Sequence, residues 1–278
     1  MSSKKFVAAV EVIRPFNVAI IMLVIAAAVI LAGGIEAGVV PVILAAAVGG
    51  LIGGGANAIN DYFDVAIDRI NKPKRPLARG DLAPRSALII WLVCTLGGIS
   101  LNFFLNSASF WVAVAASVGL FLYSAVLKGT VLLGNLLVAA MTGLALIYGG
   151  VVAGFPEQAL FPALFAFLIN FGREIVKDVE DMEGDQKGNA VTLPVKFGVS
   201  KALALATGVF ILLMGATLVP FTIGAYGTSY VLLVNVVNVL ICYVIVSMWS
   251  DKTPSNLGKL NNLLKFSMLI GLGAIYVA

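Results

Sequence analysis

Nine stretches of roughly 17 to 23 residues run along the chain almost without charge, each long enough to cross a bilayer as a helix. They lie at 16–33, 39–60, 85–104, 108–127, 131–153, 158–177, 201–220, 227–249 and 261–278. Composition removes the alternative of a soluble globule. Of the 278 residues, 60% are apolar and 12% are charged, too few polar groups to cover a particle of this size with a solvated surface. The pattern predicts an all-α, polytopic protein with nine transmembrane helices, forming a single membrane domain over 1–278. The first stretch does not read as a cleavable signal peptide, because no small-residue cleavage site follows it and equally apolar stretches come after it. Pro15, Pro41 and Pro84 stand at segment starts, where a missing N–H is tolerated.

With nine spans, one set of loops holds the N-terminus, 61–84, 128–130, 178–200 and 250–260. These loops and the adjoining span ends carry all 18 Lys and Arg. The opposite set, near 34–38, 105–107, 154–157 and 221–226, carries only Glu36 and Glu157. The positive-inside rule therefore predicts a multi-pass protein of the cell membrane, with a cytoplasmic N-terminus and an external C-terminus. Gly49, Gly50, Gly53, Gly54 and Gly55 predict close helix packing, with room for a lipid chain as the second reading.

The chain has no histidine, and its two cysteines, Cys94 and Cys242, both lie in apolar runs. Chemistry that needs an imidazole base or ligand is excluded, and neither a disulfide nor a thiolate metal site is expected. Carboxylates, amides, hydroxyls, Lys and Arg remain, which are hard oxygen ligands and phosphate binders.

Six of the eight aspartates form two triplets of identical spacing: Asp61, Asp64, Asp68 and Asp178, Asp181, Asp185. Helical offsets of zero, three and seven fall at about 0°, 300° and 340°, so three carboxylates share one narrow face. Asn57 and Glu174, four residues before each triplet, fall on the same face at about 320°. Like charges so arranged repel unless a cation sits among them. A pair of solvated acidic helix ends is the alternative, but both triplets adjoin membrane spans, where unpaired carboxylates are costly. The triplets lie 117 positions apart, which suggests two related halves, roughly 16–130 and 131–278, with the acidic faces meeting at a central polar cavity on the cytoplasmic side. Mg²⁺ takes one or two carboxylates and completes its shell with water and phosphate oxygens, so a Mg²⁺-bound diphosphate suits the pair. Arg69, Lys72, Lys74, Arg75 and Arg79 follow the first triplet, and Lys187 and Lys196 the second. Membrane topology alone explains such cations, except that Arg75 and Arg79 stand in Lys-Arg-Pro-Leu-Ala-Arg-Gly, where Pro76 and Gly80 suggest a shaped loop.

The segment Asn57-Ala-Ile-Asn60-Asp61-Tyr-Phe-Asp64-Val-Ala-Ile-Asp68 resembles the first aspartate-rich motif of the UbiA-type intramembrane prenyltransferases, and Asp178-Val-Glu-Asp181-Met-Glu-Gly-Asp185 resembles the second. The likeness covers nearly the whole chain. It implies a nine-helix bundle whose acidic motifs bind Mg²⁺ and a prenyl diphosphate. It also implies that Tyr123 and Lys128, in Leu-Tyr-Ser-Ala-Val-Leu-Lys, contact the diphosphate, and that Asn17 lies near the pocket. Without the resemblance, Tyr123 reads as an interfacial aromatic and Lys128 as an ordinary span-end lysine. The flank Gly172-Arg-Glu-Ile-Val-Lys and the pair Gly134-Asn135 look most like the archaeal-type digeranylgeranylglyceryl phosphate synthases. That likeness implies geranylgeranyl diphosphate as donor and geranylgeranylglyceryl phosphate as lipid acceptor, with membrane lipids as surroundings and no nucleic-acid or obligatory protein partner. The resulting expectation is a prenyltransferase of membrane ether-lipid synthesis. Its metal ligands are Asn57, Asp61, Asp64, Asp68, Asp178, Asp181 and Asp185, and its substrate contacts are Asn17, Asn57, Asn60, Arg75, Arg79, Tyr123 and Lys128. An aromatic acceptor keeps the same motifs. A cation-coupled transporter also accounts for intramembrane acids, although transporter sites lie nearer the bilayer midplane. A CDP-alcohol phosphotransferase would carry its aspartates in one continuous signature.

Overall fold

A computed structural model describes residues 3–33, 38–188 and 190–278, with residues 3 and 71 described by their backbone alone. Residues 34–37, which include the expected external Glu36, lie outside the described residues. Regular structure among the described residues is helical throughout. Among the described residues, eight helical segments are long and apolar enough to cross a membrane: 4–31, 39–70, 84–104, 107–127, 133–153, 156–180, 199–222 and 228–250.

The chain forms two compact units, Met1–Leu127 with Leu144–Ala159, and Lys128–Gly143 with Leu160–Ala278. The first unit holds α1 (Ser3–Ile13), α2 (Pro15–Leu31), α3 (Val39–Asn71), α4 (Pro84–Leu101), α5 (Ser107–Leu122) and the second half of α6 (Leu133–Ala153). Arg14 separates α1 from α2 in the left-handed region, at φ 58° and ψ 72°. A non-glycine residue there is strained and persists only when its surroundings hold it. Pro15 opens α2 and bars Arg14 from continuing a helix. The glycine row of α3 packs on α2, and a Cβ on Gly53 would stand 2.5 Å from Ile21 Cδ1. This is the close helix packing expected from the small residues. Asn106 and Ser109 close a capping box at the start of α5, and Asn106 Nδ2 donates to the Val151 carbonyl of α6 at 3.0 Å. Buried Tyr148 of α6 donates to Asn102 Oδ1 at 2.9 Å.

The second unit holds the first half of α6 with α7 (Leu160–Glu180), α8 (Met182–Lys187), α9 (Leu193–Phe197), α10 (Val199–Thr222), α11 (Thr228–Ser250) and α12 (Pro254–Tyr276). Its core gathers Ile175 and Val179 of α7, Phe210 and Leu213 of α10, Ile241 of α11 and Leu257 and Leu264 of α12. Pro220 interrupts the α10 ladder, and the Tyr230 hydroxyl donates to the nearby Thr217 carbonyl at 2.7 Å.

Three sequence expectations change. Helix α3 continues to Asn71 instead of ending near 60, because the acidic motif is itself helical and amphipathic. The expected loop 178–200 contains α8 and α9. The ninth expected span, 261–278, is part of a helix that starts at Pro254, and this helix is not among the eight apolar segments. Lys259, Asn261, Asn262 and Lys265 give its first half a polar character.

Candidate active site

The first acidic face belongs entirely to α3. Asp61, Asp64 and Asp68 are 2%, 8% and 4% exposed, although they are carboxylates on a membrane helix. Their partners explain how that burial is tolerated. Arg75, from the loop after α3, places Nη1 2.5 Å from Asp68 Oδ2, 3.2 Å from Asp61 Oδ1 and 3.9 Å from Asp64 Oδ2. Arg14 makes a close ion pair with Asp61 through Nη2, and its Nη1 donates to Asn57 Oδ1 at 3.4 Å. Asn57 donates in turn to the Ile13 carbonyl at 2.8 Å, and Asn60 donates to Asp64 Oδ2 at 2.9 Å. The strained backbone at Arg14 thus delivers a guanidinium to the acidic face. The sequence signal for it is the pair Arg14-Pro15, in which the proline keeps the arginine out of the helical conformation. Asn17 itself is exposed on α2.

Arg79 stands apart from this face. Its guanidinium donates to Asp81 at 2.5 Å, to Glu11 of α1 at 2.6 Å and to the Lys74 carbonyl at 2.8 Å. Hydrogen bonds to Asp81 and then Glu11 hold its pKa above the ordinary arginine value. The residue straps its own loop to α1.

The second acidic motif differs from the first. Glu174 and Asp178 lie on α7, but the helix ends at Glu180, Asp181 occupies the break with φ −90° and ψ 2°, and Asp185 lies on α8. The expectation of one continuous helical face therefore holds for Asp61, Asp64 and Asp68 and not for Asp178, Asp181 and Asp185. Three acidic residues within four positions (Glu180, Asp181 and Glu183) weigh against continuing a straight helix. Asn135 of α6 donates to Asp178 Oδ2 at 2.8 Å. Glu174 is neutralised by Arg173, with Lys177 Nζ 3.9 Å from its other oxygen. Lys128 reaches this motif through backbone tethers: the Val191 amide donates to the Gly129 carbonyl at 2.9 Å, and the Ala190 amide to the Asp185 carbonyl at 2.9 Å. Burial pushes the Asp185 carboxyl above its usual range, Asp181 adds to the rise, and Lys177 and Lys128 oppose it. Tyr123 is half-buried and opens a single π-helical turn, Tyr123–Leu127, at the end of α5. Such turns recur at functional sites.

Among the described residues no three acidic, His or Cys side chains form a ready-made metal cage. That suits Mg²⁺, which keeps most of its shell for water and phosphate. On α3 the carboxylates converge on a cationic nitrogen, and every donor in both motifs is a hard oxygen. The residues fit the ion.

The sequence model described as "UbiA prenyltransferase family" matches residues 20–269. The digeranylgeranylglyceryl phosphate synthase of Methanopyrus kandleri is 36% identical over 94% of this chain and 95% of its own length. That of Thermococcus gammatolerans is 36% identical over 97% of both. A solved structure described as digeranylgeranylglyceryl phosphate synthase in membranes superposes with a TM-score of 0.87, at 30% identity and 98% coverage of both chains. A UbiA homolog from Archaeoglobus fulgidus, solved with GPP and Mg²⁺, shares the fold at a TM-score of 0.66 and 18% identity, over 96% of this chain and 99% of its own. By this match across nine-tenths of its length, the chain is an integral membrane protein belonging to the UbiA prenyltransferase family.

Proposed function

We propose that this protein transfers a geranylgeranyl group from geranylgeranyl diphosphate to the free hydroxyl of geranylgeranylglyceryl phosphate, in membrane ether-lipid synthesis. The observation that carries the acceptor is the end-to-end similarity to synthases of that product, at 36% identity. No observation favours an aromatic acceptor, and membership of a transferase family speaks against a transporter.

In this reading Asn57, Asp61, Asp64 and Asp68 of α3, with Asp178, Asp181 and Asp185, hold Mg²⁺. When bound, the ion supplies charge that neutralises the departing diphosphate. Arg75, Tyr123 and Lys128 bind the diphosphate oxygens. Arg75 is preorganised for this, because its guanidinium already stands at the acidic face and can turn from carboxylate to phosphate without a long excursion. Asn60 orients Asp64 and Asn135 orients Asp178, while Asn17, exposed on α2, is assigned to the substrate by the family resemblance alone. Arg79 serves the loop that presents Arg75. As the allylic C1–O bond breaks, the diphosphate leaves with the electron pair. The acceptor hydroxyl then bonds to C1 and gives up its proton. The charge partition of the loops supports a cytoplasmic N-terminus and cytoplasmic motifs.

The test is transfer from radiolabelled geranylgeranyl diphosphate in detergent or lipid. Geranylgeranylglyceryl phosphate, 4-hydroxybenzoate and dihydroxynaphthoate would be the acceptors, each with and without Mg²⁺ and with Asp68→Ala as control. Mg²⁺-dependent label in the glycerol phosphate lipid alone, lost in the variant, is expected. Label in an aromatic product would overturn the acceptor, and absence of both transfer and diphosphate release would overturn the reaction.

A further inference from the structure

Helix α12 carries polar groups that membrane crossing does not require, and one of them meets Glu180, inside the second acidic motif. Asn261 is 4% exposed and donates through Nδ2 to Glu180 Oε2 at 2.6 Å. One turn earlier Gly258 leaves a gap that the same carboxylate fills, since a Cβ there would lie 2.7 Å from Glu180 Oε1. Glu180 is the last residue of α7, and Asp181 next to it forms the break before α8. The base of α12 is fixed in its turn. Thr253 caps its first turn, and Asn256 Nδ2 donates to the Asp251 carbonyl at 2.7 Å and to Ser247 Oγ at 3.2 Å.

We propose that Gly258 and Asn261 form a notch that holds Glu180 and so fixes the α7–α8 break, making Asn261 a positioning residue for Asp178, Asp181 and Asp185. This inference rests on the reading of those aspartates as metal ligands. Three acids spread over a helix break lack the rigidity of a continuous helix, which the α3 face has. A tether one residue from the break restores it. A donor on Glu180 also removes that carboxylate from competition for the ion. Among the described residues the Asn261 Oδ1 atom has no hydrogen-bond partner, and the amide's one bond there is to Glu180. Leaving it unmade would strand a buried amide completely.

The inference is tested by Mn²⁺ binding to the full-length protein in detergent, read by electron paramagnetic resonance without prenyl substrate. Asn261→Asp sets two carboxylates against each other, and the Mn²⁺ dissociation constant is expected to rise at least fivefold. The double variant Asn261→Asp with Glu180→Gln restores the bond with its polarity reversed, and the constant is expected to return to within twofold of the parent. Gly258→Ala, which displaces Glu180 by one methyl group, is the second variant if the aspartate protein does not fold, and a two- to fivefold weakening is expected. A Mn²⁺ affinity unchanged in both single variants would overturn the inference, even with a lower melting temperature. So would a double variant no better than Asn261→Asp alone. Because no acceptor or donor enters the measurement, failure of the proposed transfer leaves its outcome readable.

Discussion

Arg75 Nη1 lies 2.5 Å from Asp68 Oδ2, and the same nitrogen is within 3.9 Å of both other acids of the α3 face. One guanidinium from a loop thus stands among three buried carboxylates spaced along two helical turns, and Arg14 adds a second positive charge at Asp61. Arg75→Ala removes this charge while the acids stay buried, an arrangement worth ~3–5 kcal/mol when one partner of a buried pair is deleted. Thermal unfolding in EDTA is expected to shift down sharply, and Mg²⁺ is expected to recover more stability in Arg75→Ala than in the parent. Transfer is expected to fall by about 10²–10³ even with saturating Mg²⁺, the usual loss for one charge-stabilising donor. Arg75→Lys should regain part of the stability, because it keeps the charge, and little of the rate, because it lacks the planar guanidinium fork that suits diphosphate oxygens.

Asn135 gives Asp178 its hydrogen bond at 2.8 Å from the neighbouring helix α6. Asn135→Leu leaves a half-buried carboxylate without that donor, at a cost of ~1–3 kcal/mol. A higher Mg²⁺ half-saturation is expected than in the parent, with the acceptor KM unchanged. A variant that altered the acceptor KM alone would show that Asn135 touches the acceptor instead.

The first acidic face was legible because helical periodicity turns a spacing into a direction, and Asp61, Asp64 and Asp68 lie on a helix with no break. The identical spacing at Asp178, Asp181 and Asp185 carried no sign of the turn at Asp181, since local spacing does not record where a helix stops being supported by its neighbours. Eight apolar spans followed from length and hydropathy, whereas the polar first half of α12 blurred the ninth. The bonds of Arg14 and Asn135 to the motifs are not legible in the sequence for another reason. Arg14 lies 43 and 47 positions from Asn57 and Asp61, Asn135 lies 43 from Asp178, and only the folded chain brings them together.

Two glycines set the closest helix contacts, and they differ in what a methyl group would meet. At Gly172 of α7 it would lie 2.4 Å from the Phe210 ring, a side chain able to shift. At Gly149 of α6 it would lie 2.7 Å from the Ala28 carbonyl carbon and 2.9 Å from the Val29 amide nitrogen, both backbone atoms of α2. Overpacking costs ~1–3 kcal/mol where neighbours can relax. Gly172→Ala is expected within that range and to be rescued by Phe210→Leu. Gly149→Ala is expected to exceed it and to resist rescue by any side-chain change on α2. Melting temperatures in one detergent check both.

Asp251, in the turn between α11 and α12, accepts from the Thr253 amide at 2.9 Å, and this backbone hydrogen bond lowers its pKa below the ordinary 3.8. A carboxyl depressed in the folded state binds its proton less readily than in the unfolded chain. Its stabilising contribution is therefore complete above the unfolded value and is lost as pH falls through the folded one. Between pH 5 and pH 2 the parent is expected to lose more melting temperature than Asp251→Asn, and the two should respond alike above pH 6.

Sequence alone treats Arg75 and Arg79 as equals, since both stand in the same basic loop, yet their surroundings separate them. Arg79 is exposed and bonded to Asp81, Glu11 and the Lys74 carbonyl, with no acid of the α3 face among its partners. Exposed ion pairs contribute little to stability, so Glu11→Gln, which weakens the strap, is expected to lower the melting temperature only slightly and transfer by less than about threefold. Arg79→Ala, which removes all three bonds, is expected to raise the KM for the prenyl diphosphate several-fold with kcat nearly unchanged, because the loop presenting Arg75 is loosened while Arg75 remains. A fall in kcat as large as that of Arg75→Ala would instead make Arg79 a direct partner of the departing diphosphate. The two variants, compared at saturating donor, therefore decide whether the loop delivers one arginine to the chemistry or two.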